Sequence, residues 1–395
     1  MNFPRILKKR KGYIDRIKPF MQKSVIKVLT GQRRVGKSFL LYQLIEEILA
    51  EEPDANIIYV NLEDFTFSSQ QTAEDLHPYI ISHSKEKVKN YIFIDEIQDI
   101  PGFEKVIRSL LLNEDNDIYI TGSNAKMLSG ELATYLSGRY IEFKIYSLSY
   151  SEFLEFHGLT ESETSYELYS RYGGLPYLLN LPLEDETVNE YLIVFRDVVS
   201  RYKLRNTLFL EKLIQFLSEN IGNLFSAKNI SDYLKSQHTT ISVNQIQSYT
   251  EYLNNAFLIH RVERYDLIGK RVFEIGEKYY FENMGIRNIV IGYRITDKAK
   301  ILENLVYNHL LYKGYDIKVG YYGDKEIDFI GEKNGEKLYI QVALKIDSDK
   351  TAEREFGNLL KIQDNYPKIV VTEDTFSGNS YEGIRHCPIR QFLME

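Results

Sequence analysis

The chain has 395 residues, a single cysteine (Cys387), no tryptophan and a formal net charge of −7. That length accommodates two or three hydrophobic cores. One cysteine excludes an intrachain disulfide and a cysteine-built metal centre, and no apolar run approaches the roughly 18 residues that cross a bilayer. The basic N-terminus is followed by no signal-type apolar core, so a cytoplasmic protein without a membrane partner is expected.

The charge is uneven along the chain. Residues 1–37 carry twelve Lys and Arg against one acid, Asp15, a local +11 that leaves −18 for the remainder. Such an arm either touches nucleic acid or another polyanion, or docks on the chain's own acidic body.

Residues 25–29 form a short β-branched apolar run, and residues 39–49 have helical apolar spacing. Between them lies Gly31-Gln32-Arg33-Arg34-Val35-Gly36-Lys37-Ser38, which fits G-x-x-x-x-G-K-[ST] in the strand-to-helix setting where that pattern works. Its backbone N–H groups and the following helix N-terminus, opened by Phe39, are expected to cradle phosphates. Lys37 would reach the β- and γ-phosphates and Ser38 would ligate Mg²⁺. No Asn/Thr-Lys-x-Asp element for reading guanine is present, so ATP is the expected nucleotide.

Strand-like runs follow at residues 56–62, 91–94, 118–121 and 140–145, with helical stretches between them. This alternation implies an α/β fold whose parallel sheet is covered on both faces, with ligands at the carboxyl ends of the strands. Tyr91-Ile-Phe-Ile ends in Asp95-Glu96. Asp95 is expected to hold the water shell of Mg²⁺, and Glu96 to orient and deprotonate the attacking water. Asn124, after Thr121-Gly-Ser, is either an ordinary turn residue or a sensor of the γ-phosphate. Arg139 is either a surface residue or an arginine finger acting in cis or in trans.

With GQRRVGKS, IFIDEIQ, ITGSN, LSGR, SLSYSEFL and YGGLP in view, the chain resembles prokaryotic AAA-like ATPases close to the STAND and archaeal-ATPase groups. The resemblance implies a P-loop NTPase core of the ASCE/AAA type with a helical lid. It extends through RDVVSRY, KYYFENMGIRN, ENLVYNHL, EIDFI and YIQVA into a C-terminal domain of unknown function. The implied domains are an ATPase core with its basic arm at 1–150, a lid and linker at 151–205, a winged helix at 206–290 and a last unit at 298–395.

Residues 195–202 read as a linker helix. Helical patterns at 208–219, 227–235 and 243–255 precede strand-like segments at 259–265 and 271–275, the order of a winged helix. The third helix would expose Asn244, Gln245, Gln247, Ser248 and Glu251, and Arg261, Arg264, Lys270 and Arg271 would add phosphate contacts. The same module would equally serve protein contact.

Residues 298–395 read as helix, strand, strand, helix, strand, and resemble a restriction-endonuclease-like fold. Glu303, Asp328 and Gln341 then stand at its acidic positions, with Ala343 where a lysine belongs. Lys345, two residues further along the same strand face, would have to replace it. The expectation is a degenerate nuclease-like module that binds rather than cuts. The function expected of the whole is an ATP-hydrolysing switch or remodeller acting on nucleic acid or a protein. Alternatives are a DNA-binding regulator that uses ATP structurally, or an ATP-gated nuclease.

Overall fold

A computed structural model describes residues 8–128, 136, 138–180, 183, 207–236, 241–269, 276–323, 325–374 and 380–395. The expected linker helix at 195–202 and the strand at 271–275 lie outside the described residues, as do Arg5, Lys270 and Arg271. The chain divides into two compact units, Met1–Tyr146 with Asn255–Phe257, and Ser147–Asn254 with Leu258–Glu395.

The first unit is built on β1 (Ile26–Thr30), β2 (Asn56–Asn61), β3 (Asn90–Asp95), β4 (Asn116–Gly122) and β5 (Tyr140–Lys144). All five run parallel in the order β2-β3-β4-β1-β5. The runs IKVLT, NYIFID and NDIYITG are buried throughout, as strands covered on both faces must be. The expected α/β class and its strand positions are therefore borne out.

Helices α2 (Lys37–Glu51), α3 (Ala73–His83) and α4 (Phe103–Leu110) cover this sheet, and α1 (Lys11–Ile17) packs on α2. Ile58, Val60, Ile92 and Ile94 join one core with Leu76 and Ile80 of α3 and Val106 and Ile107 of α4. Tyr59, which alternates with Ile58 and Val60, instead meets Tyr42 of α2 at 5.3 Å between ring centroids. Period-two alternation along the strands thus sends α2 and the α3/α4 pair to opposite faces.

The second unit begins with α5 (Tyr150–His157) and α6 (Glu163–Tyr172), followed by α7 (Thr207–Glu219), β6 (Leu224–Phe225), α8 (Ala227–Ser236) and α9 (Val243–Asn255). A Ser149–Glu152 capping box starts α5. Then come β7 (Ile259–Asp266), β8 (Glu277–Phe281), α10 (Met284–Ile291), α11 (Lys298–Tyr312), β9 (Asp316–Tyr322), β10 (Lys325–Lys333) and β11 (Glu336–Ala343). The unit closes with α12 (Asp349–Leu360), β12 (Lys368–Thr372), β13 (Ser380–Tyr381), β14 (Ile384–Pro388) and α13 (Ile389–Phe392).

Two features differ from the expected layout. The segments expected to form separate 206–290 and 298–395 domains share one nine-stranded sheet, ordered β13-β14-β12-β11-β10-β9-β7-β8-β6. The seam is the parallel pairing of β7 with β9, Arg264 opposite Val319 and Asp266 opposite Tyr321. An isolated β7–β8 hairpin would leave a bare edge, and β9 covers it. Second, β6, β8, β9, β13 and β14 join the strands read from sequence, so α11 is followed by three strands rather than two. Asp-Ile-Lys-Val-Gly-Tyr-Tyr carries a glycine mid-run that weakens its strand signal.

Candidate functional site

The phosphate-binding motif lies where β1 ends and α2 begins. Gly36 caps α2 with φ 91° and Arg34 has φ 68°, so the loop turns through left-handed backbone to aim at the helix axis. A Cβ on Gly31 (φ 151°) would collide with the Ile145 carbonyl oxygen, so this position requires glycine. Val35 is fully buried, and its carbonyl accepts from Arg10 Nη1 at 3.1 Å, a brace that also reaches the Tyr146 carbonyl at 2.8 Å. Arg33 pairs with Glu63 at 2.8 Å. Phe39 is half exposed and meets Tyr42 edge-on. Gln32 is buried, and neither of its amide atoms has a hydrogen-bond partner among the described residues.

Lys37 is buried and bonds the loop's own carbonyls, Gly31 O and Gln32 O, each at 3.1 Å. Its ammonium also lies 3.5 Å from Glu96 Oε1.

Asp95 ends β3, and Glu96 follows in left-handed backbone with φ 57°. Asp95 bonds Ser38, Thr121 donates to its Oδ1 at 2.5 Å, and Tyr59 donates to its Oδ2 at 3.3 Å. Burial raises the Asp95 pKa against the lowering effect of Ser38 and Thr121, and the neighbouring Glu96 charge raises it further. A hydroxyl and a carboxylate that share one location and lack full charge compensation suit a hard, oxygen-seeking cation. Thr121 also accepts the Glu96 N–H at 2.9 Å, so one hydroxyl fixes both acids. Glu96 Oε2 accepts from Gln98 Nε2 at 2.7 Å and from Ser123 Oγ at 2.8 Å.

Tyr59, Gln98, Thr121 and Ser123 were not singled out from sequence. Gln98, Thr121 and Ser123 lie inside the quoted IFIDEIQ and ITGSN strings, whereas Tyr59 carries no motif. Asn124 is partly buried, two residues beyond β4 and at the same end of the sheet as Asp95. Arg139 is not at that end. Its carbonyl accepts from Ile26 N at 2.9 Å, which places it where β1 starts, about 13 Å of strand from the phosphate loop. The cis-finger expectation therefore fails on topology, because the fifth strand is parallel to the first.

A family model described as an AAA domain matches residues 23–154, and one described as a domain of unknown function (DUF8612) matches residues 163–297. An uncharacterized protein of Haemophilus influenzae is 37% identical, covering 98% of each chain. The chain belongs to the AAA-domain P-loop ATPase family. An uncharacterized protein of Methanocaldococcus jannaschii is 31% identical over 84% of this chain and 77% of its own length. Among solved structures, the Aeropyrum pernix ORC1 protein in complex with DNA is similar at 13% identity, with 73% of this chain and 93% of that one covered and a TM-score of 0.35.

The basic arm of this AAA protein is largely engaged within its own unit. Lys9 and Lys18 pair with Glu47 at 2.8 and 2.6 Å, and Lys27 with Asp117. Arg10 is buried, and its backbone N–H donates to Gln43 Oε1 at 2.8 Å. The expected exposed face of α9 is present, since Asn244, Gln245, Gln247, Ser248 and Glu251 are exposed. Arg261 pairs with Glu277 at 3.5 Å and Arg264 stacks 3.6 Å from the Tyr321 ring centroid.

The C-terminal acids do come together, around a lysine that sequence reasoning missed. Lys278 of β8, its side chain 4% exposed, lies 3.0 Å from Glu303, 2.6 Å from Glu326 and 4.0 Å from Asp328. Burial alone would lower its pKa, but the charges of Glu303, Asp328 and Glu326 drive it upward. Burial and the Glu303 charge hold Asp328 well above the usual carboxylate range. Asp328 also accepts the Val342 N–H at 2.7 Å, and Gln341 Oε1 is buried without a hydrogen-bond partner among the described residues.

Lys345 does not serve this cluster. Strand β11 ends at Ala343, and Lys345 is exposed and pairs with Asp374 at 3.3 Å. Among the described residues no group of three or more His, Cys, Asp or Glu is arranged to hold a metal ion. No helix among them is long and apolar enough to cross a membrane.

Proposed function

We propose that this protein binds and hydrolyses ATP and uses the cycle as a switch on a protein or nucleic-acid partner. The observation that carries the reading is the convergence at one sheet end of Lys37, Ser38, Asp95 and Glu96, with Ser38 bonded to Asp95 and Lys37 3.5 Å from Glu96. In this reading Lys37 leaves the Gly31 and Gln32 carbonyls for the β- and γ-phosphates, and the loop N–H groups and α2 N-terminus bind the rest of the chain of phosphates. Ser38 and Asp95 would hold Mg²⁺, which supplies charge neutralisation as the γ-phosphoryl group transfers. Glu96 takes a proton from water. The water oxygen bonds to the γ-phosphorus, and the β–γ bridging oxygen leaves on ADP with the electron pair. Lys37→Ala should abolish ATP binding, whereas Glu96→Gln should bind ATP and hydrolyse it at least a hundredfold more slowly. Full hydrolysis in both variants would sink the assignment.

In the second unit, α7, α8 and α9 followed by β7 and β8 support a winged helix, and the β9–β14 region supports a restriction-endonuclease-like module. We assign both to binding rather than cutting, because Lys278 already fills the acid cluster of Glu303, Glu326 and Asp328. The internal engagement of Lys9, Lys18 and Arg261 by acids, Arg10 by carbonyls and Arg264 by the Tyr321 ring favours a protein partner over a polyanion. ATPase rates measured with and without duplex DNA, single-stranded DNA and RNA across a salt series test this choice. Stimulation by nucleic acid that fades with salt would reverse it.

A further inference from the structure

The two oxygens of Glu96 have different surroundings. Oε1 lies 3.5 Å from the Lys37 ammonium, the group that the ATPase reading sends to the phosphates. Oε2 accepts from Gln98 Nε2 at 2.7 Å and from Ser123 Oγ at 2.8 Å. A base that must take a proton from one water works best with its carboxylate held in one orientation, and the two donors on Oε2 supply that.

The placement of Gln98 costs the fold something. Its Nε2 also lies 3.2 Å from Asp99 Oδ1, so the amide nitrogen faces two carboxylates that can only accept. Its Oε1 is left buried with no hydrogen-bond partner among the described residues. An orphan buried acceptor is destabilising, a strain tolerated where a side chain is held for another purpose. The neighbour that permits it is Gly122, where a Cβ would stand 2.9 Å from Gln98 Oε1 and collide with Met127.

Building on the ATPase reading above, we propose that Gln98 and Ser123 are positioning residues that anchor Glu96 Oε2 so that Oε1 receives the proton of the attacking water. They act through Glu96 and touch neither nucleotide nor phosphorus. The remaining chemistry is unchanged: the water oxygen bonds to the γ-phosphorus as its proton passes to Glu96 Oε1, and ADP departs with the bridging electron pair.

The test uses the full chain with ATP and Mg²⁺, in single and double variants. Gln98→Met keeps the length and packing against Gly122 but removes the amide, and Ser123→Ala removes the second donor. Each should lower kcat at least tenfold while the Kd for ATP stays within about twofold. In a Glu96→Gln background, adding Gln98→Met should change the residual single-turnover rate less than twofold, because the group it positions is already gone. Unchanged kcat in Gln98→Met, or a tenfold loss that persists in the Glu96→Gln background, would overturn the proposal while leaving the ATPase reading intact. A wild-type protein that binds ATP but never hydrolyses it would overturn both.

Discussion

Replacing Lys278 by Met tests whether the C-terminal acid cluster is held together by an internal cation. The substitution keeps the aliphatic length and removes the charge, leaving Glu303, Glu326 and Asp328 facing a buried point from which each was at most 4.0 Å away. Removing one partner of a buried pair costs about 3–5 kcal/mol. Glu326 is partly exposed and weakens the effect through solvent screening, whereas Asp328 is 11% exposed and strengthens it. A loss of about 4 kcal/mol in the stability of the second unit is therefore expected at neutral pH.

The loss should depend on pH in a definite direction. The folded-state pKa of Asp328 is raised by burial first and by Glu303 second, and Lys278 opposes that rise. Without Lys278 it climbs further. A group whose folded pKa exceeds its unfolded value favours the fold at low pH and loses that contribution as pH rises through the folded pKa. The deficit of Lys278→Met relative to wild type should thus be largest above neutrality and shrink on acidification, as Asp328 takes up a proton. Urea unfolding of the full chain between pH 5 and 8, followed by tyrosine circular dichroism, measures both quantities. A loss below about 1 kcal/mol, or an equal loss at both ends of the range, would refute the clamp.

Three further outcomes follow from the geometry. Thr121→Val removes the hydroxyl that donates to Asp95 and accepts from the Glu96 N–H; thermal unfolding should show the first unit destabilised by about 1–3 kcal/mol, and titration should show weaker Mg²⁺-dependent nucleotide binding. His309 is buried, and burial lowers its pKa to about 3. Its folded pKa lies below the unfolded value of about 6.5, so stability is lost as pH falls through that window; wild type should show that acid sensitivity in calorimetry and His309→Leu should show less. Arg139→Ala should leave single-chain ATP hydrolysis unchanged at dilution, because its backbone sits at the far end of β1; a drop in rate that appears only at assembling concentrations would mark a finger supplied in trans.

The first unit was legible because each of its features is local. Burial on both faces makes a parallel strand read as a continuous apolar run, and Tyr91-Ile-Phe-Ile before Asp95 is such a run. The phosphate loop needs glycine at Gly31, where the Ile145 carbonyl leaves no room for a Cβ, and at Gly36, where φ is positive. Those demands write a motif. Tyr59 illustrates the opposite case: its hydroxyl reaches Asp95 only because β2 lies beside β3 in the sheet, and any tyrosine at an ordinary strand position looks the same in sequence.

The second unit shows the same limit on a larger scale. Strand alternation states which residues of one strand share a face, and Gln341 and Ala343 are both buried on β11. It does not state which strand lies alongside. Lys345 was the nearest lysine in sequence, but β11 ends at Ala343 and the side chain turns to Asp374. Lys278 is 50 residues from Asp328 in sequence. It reaches the cluster because β7, paired with both β8 and β9, makes the two segments one sheet. A charge that one strand lacks can thus be supplied by another, so an incomplete local motif is weak evidence that a site lacks a group. The informative question is what fills the position, and here it is an ammonium already bonded to Glu303 and Glu326. That is the arrangement of an ion cluster closed on itself, and it is the observation behind the proposal that the module binds rather than cuts.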